Sequence, residues 1–320
     1  MENILKKIWK SYSIGVVVVF VGIILSLLSP RFLSIGNLLN VMTNASLVAI
    51  LGLGMTLAIA SGNFDLSVGS TAAFAGCISF SLVPIIGVPA SIVAGLAAGA
   101  LVGLINGLII TELRVPAFIA TLGMLTIVRG AALIYTDGKD LYLFGQTGYK
   151  VLSGEYFFGI PTPILLSVGI ALLLGFIVSQ TRFGRHILAI GSNLSAAQRS
   201  GIPTNRVMWA IFSIVGATAA LSGMIISSQV LTANGRLATG LELSAIAVVV
   251  LGGTALSGGQ ATMIGTMLGA LLISMVNNGL NLLNVPIFYQ ELTVGVLMLG
   301  ALAVNISQGF DVRRLLRRQA

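Results

Sequence analysis

The chain has 320 residues, 56% of them apolar and 8% charged, against about a quarter charged in a soluble domain. A mean hydropathy of +1.03 excludes a large soluble core and leaves no room for a sizeable soluble domain. The net charge of +8 would suit nucleic acid, but the basic residues sit between apolar spans, as membrane orientation requires, so no nucleic-acid partner is expected.

A helix needs about 20 apolar residues to cross a bilayer. By that measure the sequence predicts an all-α polytopic membrane protein, 1–320 forming one transmembrane domain. Ten spans are expected, at about 13–29, 41–60, 65–83, 88–111, 116–135, 162–180, 207–229, 241–256, 261–283 and 287–306. The first follows Lys6, Lys7 and Lys10 and lacks a small-x-small cleavage site before Pro30. It reads as an uncleaved helix, not a signal peptide.

The third span opens on SGNFDLSVGS, where Asp65 is the only formal charge between Arg31 and Glu112. A carboxylate in a lipid-facing helix costs about 2.5–3.5 kcal/mol. At a helix start it would accept from free backbone N–H groups and meet the positive end of the dipole. It equally suits a translocation path or a moving helix break, which Gly62 and Gly69 would help; the two readings are compatible. Cys77, the single cysteine, excludes an internal disulfide and reads as packing. Gly95, Gly99, Gly103 and Gly107 lie four apart, a bare face that lets helices approach closely in lipid; Gly265 and Gly269 repeat it briefly.

The fourth span, GALVGLINGLIITELRVPAF from Gly99, answers the ninth, GALLISMVNNGLNLLNVPIF from Gly269, at an offset of 170. DLS at Asp65 answers ELS at Glu242 at an offset of 177. These offsets pair span three with eight and span four with nine. Five spans is an odd number, so the halves, about 41–135 and 207–306, would form an inverted repeat, a common plan for alternating-access carriers. Asp65 and Glu242 would then be equivalent helix-start acids near opposite membrane faces.

With the N-terminus inside, twelve basic residues fall in interior segments: Lys6, Lys7, Lys10, Arg114, Arg182, Arg185, Arg199, Arg206, Arg313, Arg314, Arg317 and Arg318. Four fall outside, Arg31, Lys139, Lys150 and Arg236, and Arg129 lies within a span, so both termini are expected in the cytoplasm. The longest interior segment, about 181–206, carries four arginines and the only histidine, His186, which reads as a solvated basic residue. Within it Leu194 to Arg199 predicts a short amphipathic helix stopped by Gly201 and Pro203. Such a knob suits docking of a partner; lipid headgroups are the other reading.

FDLSVGS, VPAFIATLGML, TRFGRHILAIGSN, VVVLGGTALSGG and GALLISMVNNGLNLL resemble the permease subunits of bacterial ABC importers for ribose, xylose, galactose and related sugars. The likeness runs from about Phe32 to Gln290. It implies a multi-pass protein of the cytoplasmic (inner) membrane, paired with a second permease subunit, identical or not. It further implies a cytoplasmic ATPase, a periplasmic sugar-binding protein and a monosaccharide substrate, and no cofactor. Leu194 to Gly201 is similar to the family's coupling loop, usually Glu-Ala-Ala-x-x-x-Gly. Here Ser195 stands where that glutamate often does, followed by Ala196, Ala197 and Gly201, and Ser244 stands where the family often has aspartate. A sugar crossing apolar surroundings needs hydrogen-bonding groups. Asn277 and Asn278 are candidates for its path, with Asn106, which the repeat aligns with Asn278; helix–helix hydrogen bonds are the alternative.

LSGGQ, 256–260, spells the signature peptide of ABC ATPases, but the chain has no G-x-x-x-x-G-K-[ST]. The stretch reads as a glycine-rich turn, with ATP hydrolysis expected in a separate subunit. Nine acids, one histidine and one cysteine offer no clustered metal ligands or catalytic set. The repeat alone would also allow an ion-coupled secondary carrier, with Asp65, Glu242 or Glu291 as ion sites.

Overall fold

The computed structural model describes residues 2–143, 147–154, 156–157 and 159–286, and as far as residue 300 all but 287, 291, 294 and 298. Glu155, Glu291, part of the 287–306 span and the four C-terminal arginines, Arg313, Arg314, Arg317 and Arg318, lie outside the described residues. The chain is mostly helical. Among the described residues up to 286 the helices are α1 (Glu2–Leu28), α2 (Ile35–Ala60), α3 (Val68–Glu112), α4 (Ala117–Tyr135), α5 (Thr162–Gln180), α6 (Arg182–Ser192), α7 (Leu194–Arg199), α8 (Thr204–Val230), α9 (Leu241–Leu251) and α10 (Met263–Leu282). Six of these, α2, α3, α4, α5, α8 and α10, are long and apolar enough to cross a membrane.

Two predicted spans, 65–83 and 88–111, fall within α3. Straight, its 45 residues would run about 68 Å, twice the bilayer core. Gly87 breaks it, with φ 77° and ψ 168° between Pro84 and Pro89. The arms fold back on each other: a Cβ on Gly95 would stand 2.8 Å from the Ser79 Cβ and 3.1 Å from the Ala75 carbonyl. The predicted 241–256 span is shorter than expected. α9 stops at Leu251, because Gly253 takes φ 84° and the N–H groups of Gly253 and Thr254 turn back to Val250 and Val249. Its 11 residues cover about 16 Å, half a bilayer.

α8 is the centre of the bundle. The predicted glycine face of α3 packs on it: a Cβ on Gly99 would stand 2.5 Å from the Ala220 Cβ, and one on Gly107 would stand 2.9 Å from the Trp209 Cα. At Gly103 a Cβ would overlap the Phe212 carbonyl. On α8 itself Gly216 faces the second arm of α3 at Gly99, and Gly223 faces the first at Ala72. The shorter stripe behaves alike, Gly265 against Gly252 and Gly269 against Val248 of α9.

The segment between α4 and α5 is more than a loop. β1 (Leu141–Tyr142) pairs antiparallel with β4 (Thr232–Ala233), and β2 (Tyr156–Phe157) with β3 (Ile160–Pro161). Between them a 3₁₀ turn at Thr147–Leu152 drives Tyr149 into the bundle, fully buried edge-on to Phe80. Its hydroxyl donates to Ser79 Oγ (2.9 Å), and its carbonyl accepts from Ser228 Oγ (2.7 Å). Burial raises the phenol pKa, keeping it a neutral donor.

Candidate functional site

The interior segment folds as two capped helices. Thr181 Oγ1 accepts from the N–H of Gly184 (3.1 Å) and starts α6; Asn193 Oδ1 accepts from that of Ala196 (2.9 Å) and starts α7. Gly201, at φ 78°, ends α7, with the N–H of Ile202 returning to the Ala197 carbonyl (3.2 Å). α6 buries Gly184, Ile187 and Ile190 and exposes Arg182 and Arg185; His186 is half-buried. On α7 the outward residues are Leu194, Ser195, Gln198 and Arg199, while Ala196 is half-buried. Ala197 faces inward, 4% exposed, and packs in the central apolar core. The exposed face of α7 is therefore Leu194, Ser195, Gln198 and Arg199, and of Ala196 and Ala197 only the first is reachable from outside. Beside it lies an open groove of about 610 Å³ lined by Glu112, Gln198, Ile202 and Trp209 among others.

Asp65 is 1% exposed and fully engaged. Its Oδ1 accepts from Ser67 N (2.8 Å) and Ser67 Oγ (2.6 Å), and its Oδ2 from Asn106 Nδ2 (3.1 Å). Asn106 Nδ2 also donates to Ser67 Oγ (2.8 Å), while Asn106 Oδ1 is buried without a partner. The capping role is thus partial: one backbone N–H plus two side chains of a closed polar cluster.

Glu242 differs from Asp65 in geometry. It sits inside the first turn of α9 and reaches back, its Oε1 accepting from Gly240 N (3.2 Å). Its Oε2 is buried without a partner over Gly69, where a Cβ would overlap it. The two acids therefore do not stand at opposite faces: Glu242 lies against the first turn of α3, four residues beyond Asp65 in sequence. Arg129 of α4 was not singled out by its spacing. It donates from Nη1 to the Gly235 and Leu237 carbonyls, both at 2.8 Å, holding the irregular segment before α9.

The asparagines separate. Asn278 and Asn37 of α2 exchange amide hydrogen bonds at 2.8 and 3.0 Å, tying α10 to α2. Asn106 belongs to the Asp65 cluster, far from that pair in partners. Asn277 Oδ1 is buried without a hydrogen bond. Among the described residues, no three His, Cys, Asp or Glu side chains gather as metal ligands.

Residues 37–302 match the family described as branched-chain amino acid transport system / permease component. The chain belongs to that family. It is 40% identical over 287 residues to the ribose import permease protein RbsC of Escherichia coli K12, covering 88% of this chain and 89% of that protein. RbsC of Bacillus subtilis strain 168 is 39% identical over 289 residues, 88% of each chain. The L-arabinose ABC transporter permease protein AraH of Azospirillum brasilense is 35% identical over 297 residues, 92% of this chain and 87% of that one.

In this permease the LSGGQ stretch lies outside any helix. Gly258 and Gly259 adopt φ 81° and 79°, and Gly259 N donates to the Ala60 carbonyl at the end of α2 (2.8 Å). Those glycines serve a backbone junction, and their N–H groups face protein.

Proposed function

We propose that this chain is the membrane permease subunit of an ATP-binding-cassette importer for a ribose-like pentose or a related monosaccharide. The carrying observation is the identity of about two residues in five to ribose import permeases along nearly the whole chain. The outward face of α7 serves a cytoplasmic ATPase, a periplasmic binding protein delivers the sugar, and a second permease subunit completes the path. Both termini lie in the cytoplasm of a bacterium, as the basic residues favour. An inverted repeat relates the halves. Arg114 and Asn284, 170 apart, take matching left-handed φ values of 54° and 57° ahead of their Val-Pro pairs, which supports that reading. Asn277 remains the path candidate, since Asn278 is paired with Asn37 and the Asn106 amide nitrogen is held by Asp65 and Ser67. An ion-coupled carrier finds no support among the relatives, and the Asp65 carboxylate is already occupied by three donors.

The test is uptake of a panel of pentoses and hexoses into proteoliposomes with the ATPase and binding protein. Uptake should require both partners and ATP; uptake driven by an ion gradient alone would refute the assignment. Cysteines at Ser195 and Gly148, both exposed, in a Cys77→Ala background should label from opposite sides. Leu194→Glu, on the outward face, should release the ATPase, and retention of normal binding would exclude α7 as its dock.

A further inference from the structure

Three stretches of backbone meet beside α7, and only the Ser192 side chain reaches over one of them, at Gly259. One is the end of α2, where Gly62 at φ 81° closes the helix, the N–H groups of Gly62 and Asn63 returning to Ile59 and Ala58. That arrangement leaves the Ala60 carbonyl for the N–H of Gly259 (2.8 Å). The second is the end of α6. A Cβ on Gly191 would overlap the Ala60 carbonyl and stand 2.5 Å from Gly259 N. The third is the turn at Gly258–Gly259. A Cβ on Gly258 would stand 2.8 Å from the Gly191 carbonyl and 3.0 Å from Gly62 N, and one on Gly259 would stand 3.4 Å from the Ser192 Cβ. Asn193 alone separates Ser192 from the first residue of α7.

We propose that Ala60, Gly191 and Gly258–Gly259 form a rigid clasp that carries displacement of α7, as one unit, to α2 and to the turn joining α9 and α10. Side chains in a contact absorb motion by changing rotamer; backbone against backbone, fixed by a hydrogen bond, has no such slack. The clasp also lies on the chain just ahead of Asp65, so a shift of α2's end moves the break where α3 begins. Gly191 is a positioning residue here, and the proposal rests on reading α7 as the ATPase dock.

The assembled complex in proteoliposomes tests it in two ways. Ser192→Cys with Gly259→Cys, in the Cys77→Ala background, places Cβ atoms near the ~3.5–4.5 Å of a disulfide. A rigid clasp predicts that the oxidised protein crosslinks and keeps uptake within about two-fold of its reduced form, since joined parts that move together lose nothing. Both forms carry the cysteine that replaces Gly259 at the φ of 79° that glycine adopts there, so their ratio cancels the strain of the substitution; uptake abolished on oxidation and restored by reductant while ATP is still hydrolysed would overturn the proposal. Gly191→Ala should wedge the clasp: the ATPase still co-purifies, but sugar imported per ATP falls about ten-fold. An unchanged ratio at normal abundance would overturn the proposal, and if that variant is absent from the membrane the cysteine pair decides. Leu194→Glu tests docking by itself, so a permease that binds its ATPase normally yet fails the clasp tests separates the two readings.

Discussion

Asp65 offers the sharpest quantitative test, because its partners are all on one carboxylate. Replacing it with Leu removes the acceptor of three N–H or O–H groups: Ser67 N–H, Ser67 Oγ–H and one of the two N–H bonds of the Asn106 amide, whose other one still reaches Ser67 Oγ. A buried donor left unmade costs about 1–3 kcal/mol, so the sum reaches about 3–9 kcal/mol, comparable with the whole stability of a typical domain. The Ser67 hydroxyl can turn to other acceptors, which places the outcome toward the lower end. Asp65→Asn behaves differently. Its Oδ1 keeps both Ser67 bonds, and its new amide would face Asn106 Nδ2, donor to donor. Asn106 Oδ1 is buried and unpartnered, so a flip of that amide supplies an acceptor at the cost of its bond to Ser67 Oγ. The net loss is one hydrogen bond, about 0.5–1.5 kcal/mol, offset in part because a buried charge is removed. Membrane abundance by fluorescence-detected size exclusion, with ATP-driven uptake on the same preparations, gives the comparison. Asp65→Leu should be scarce and Asp65→Asn near normal in both. Normal abundance for Asp65→Leu would refute the hydrogen-bond reasoning, and an abundant Asp65→Asn without uptake would move the residue onto the transport mechanism.

Gly103→Leu should force α3 from α8 at the Phe212 carbonyl and lower thermal stability in detergent, with a cost of about 1–3 kcal/mol or more. Gly123→Leu, on an exposed face of α4 with nothing within 4 Å, should leave the melting temperature unchanged. Asn278→Leu removes both bonds to Asn37 and should cost about 1.2 kcal/mol, at about 0.6 for each hydrogen bond between membrane helices, and spare uptake; adding Asn37→Leu should cost further, because its amide also donates to the Phe32 carbonyl (2.9 Å). Asn277→Leu should lower uptake at normal abundance; if it does not, the remaining path candidate is lost.

The parts of the fold with local signals were legible. Asn193 and Gly201 bracket α7 where the sequence predicts it, because a cap and a left-handed stop act within one turn. The glycine face of α3 was readable as packing, since four-residue spacing defines one side of a helix. The length of α9 was not: 241–256 is apolar throughout except near its ends, and hydropathy does not register the stop at Gly253. Tyr149 is one of six aromatics between residues 141 and 158, and its spacing does not single it out for burial. Inward placement of Ala197 depends on where α6 and α8 pass. The Asn37–Asn278 pair and the meeting of Ala60, Gly191 and Gly259 join positions far apart in the chain, and no window of sequence contains them.

The placement of the charges follows from where helices break. Gly223, packed on Ala72, lies 19 residues beyond Thr204, about 28 Å along an α8 of about 40 Å. Val68 lies one turn below Ala72, so α3 begins alongside the middle of α8 rather than at its end, and α9 begins against Gly69 at a similar depth. A helix that starts inside the bundle carries free backbone groups where no lipid can satisfy them. Asp65 answers the N–H of Ser67, Glu242 that of Gly240, and Arg129 the carbonyls of Gly235 and Leu237. Among the described residues, each of these three charges within the spans thus meets backbone that has left its helix. The same breaks start α3 and α9 as separate pieces at mid-depth, which is where the proposed importer would need helices that shift without unwinding a full span.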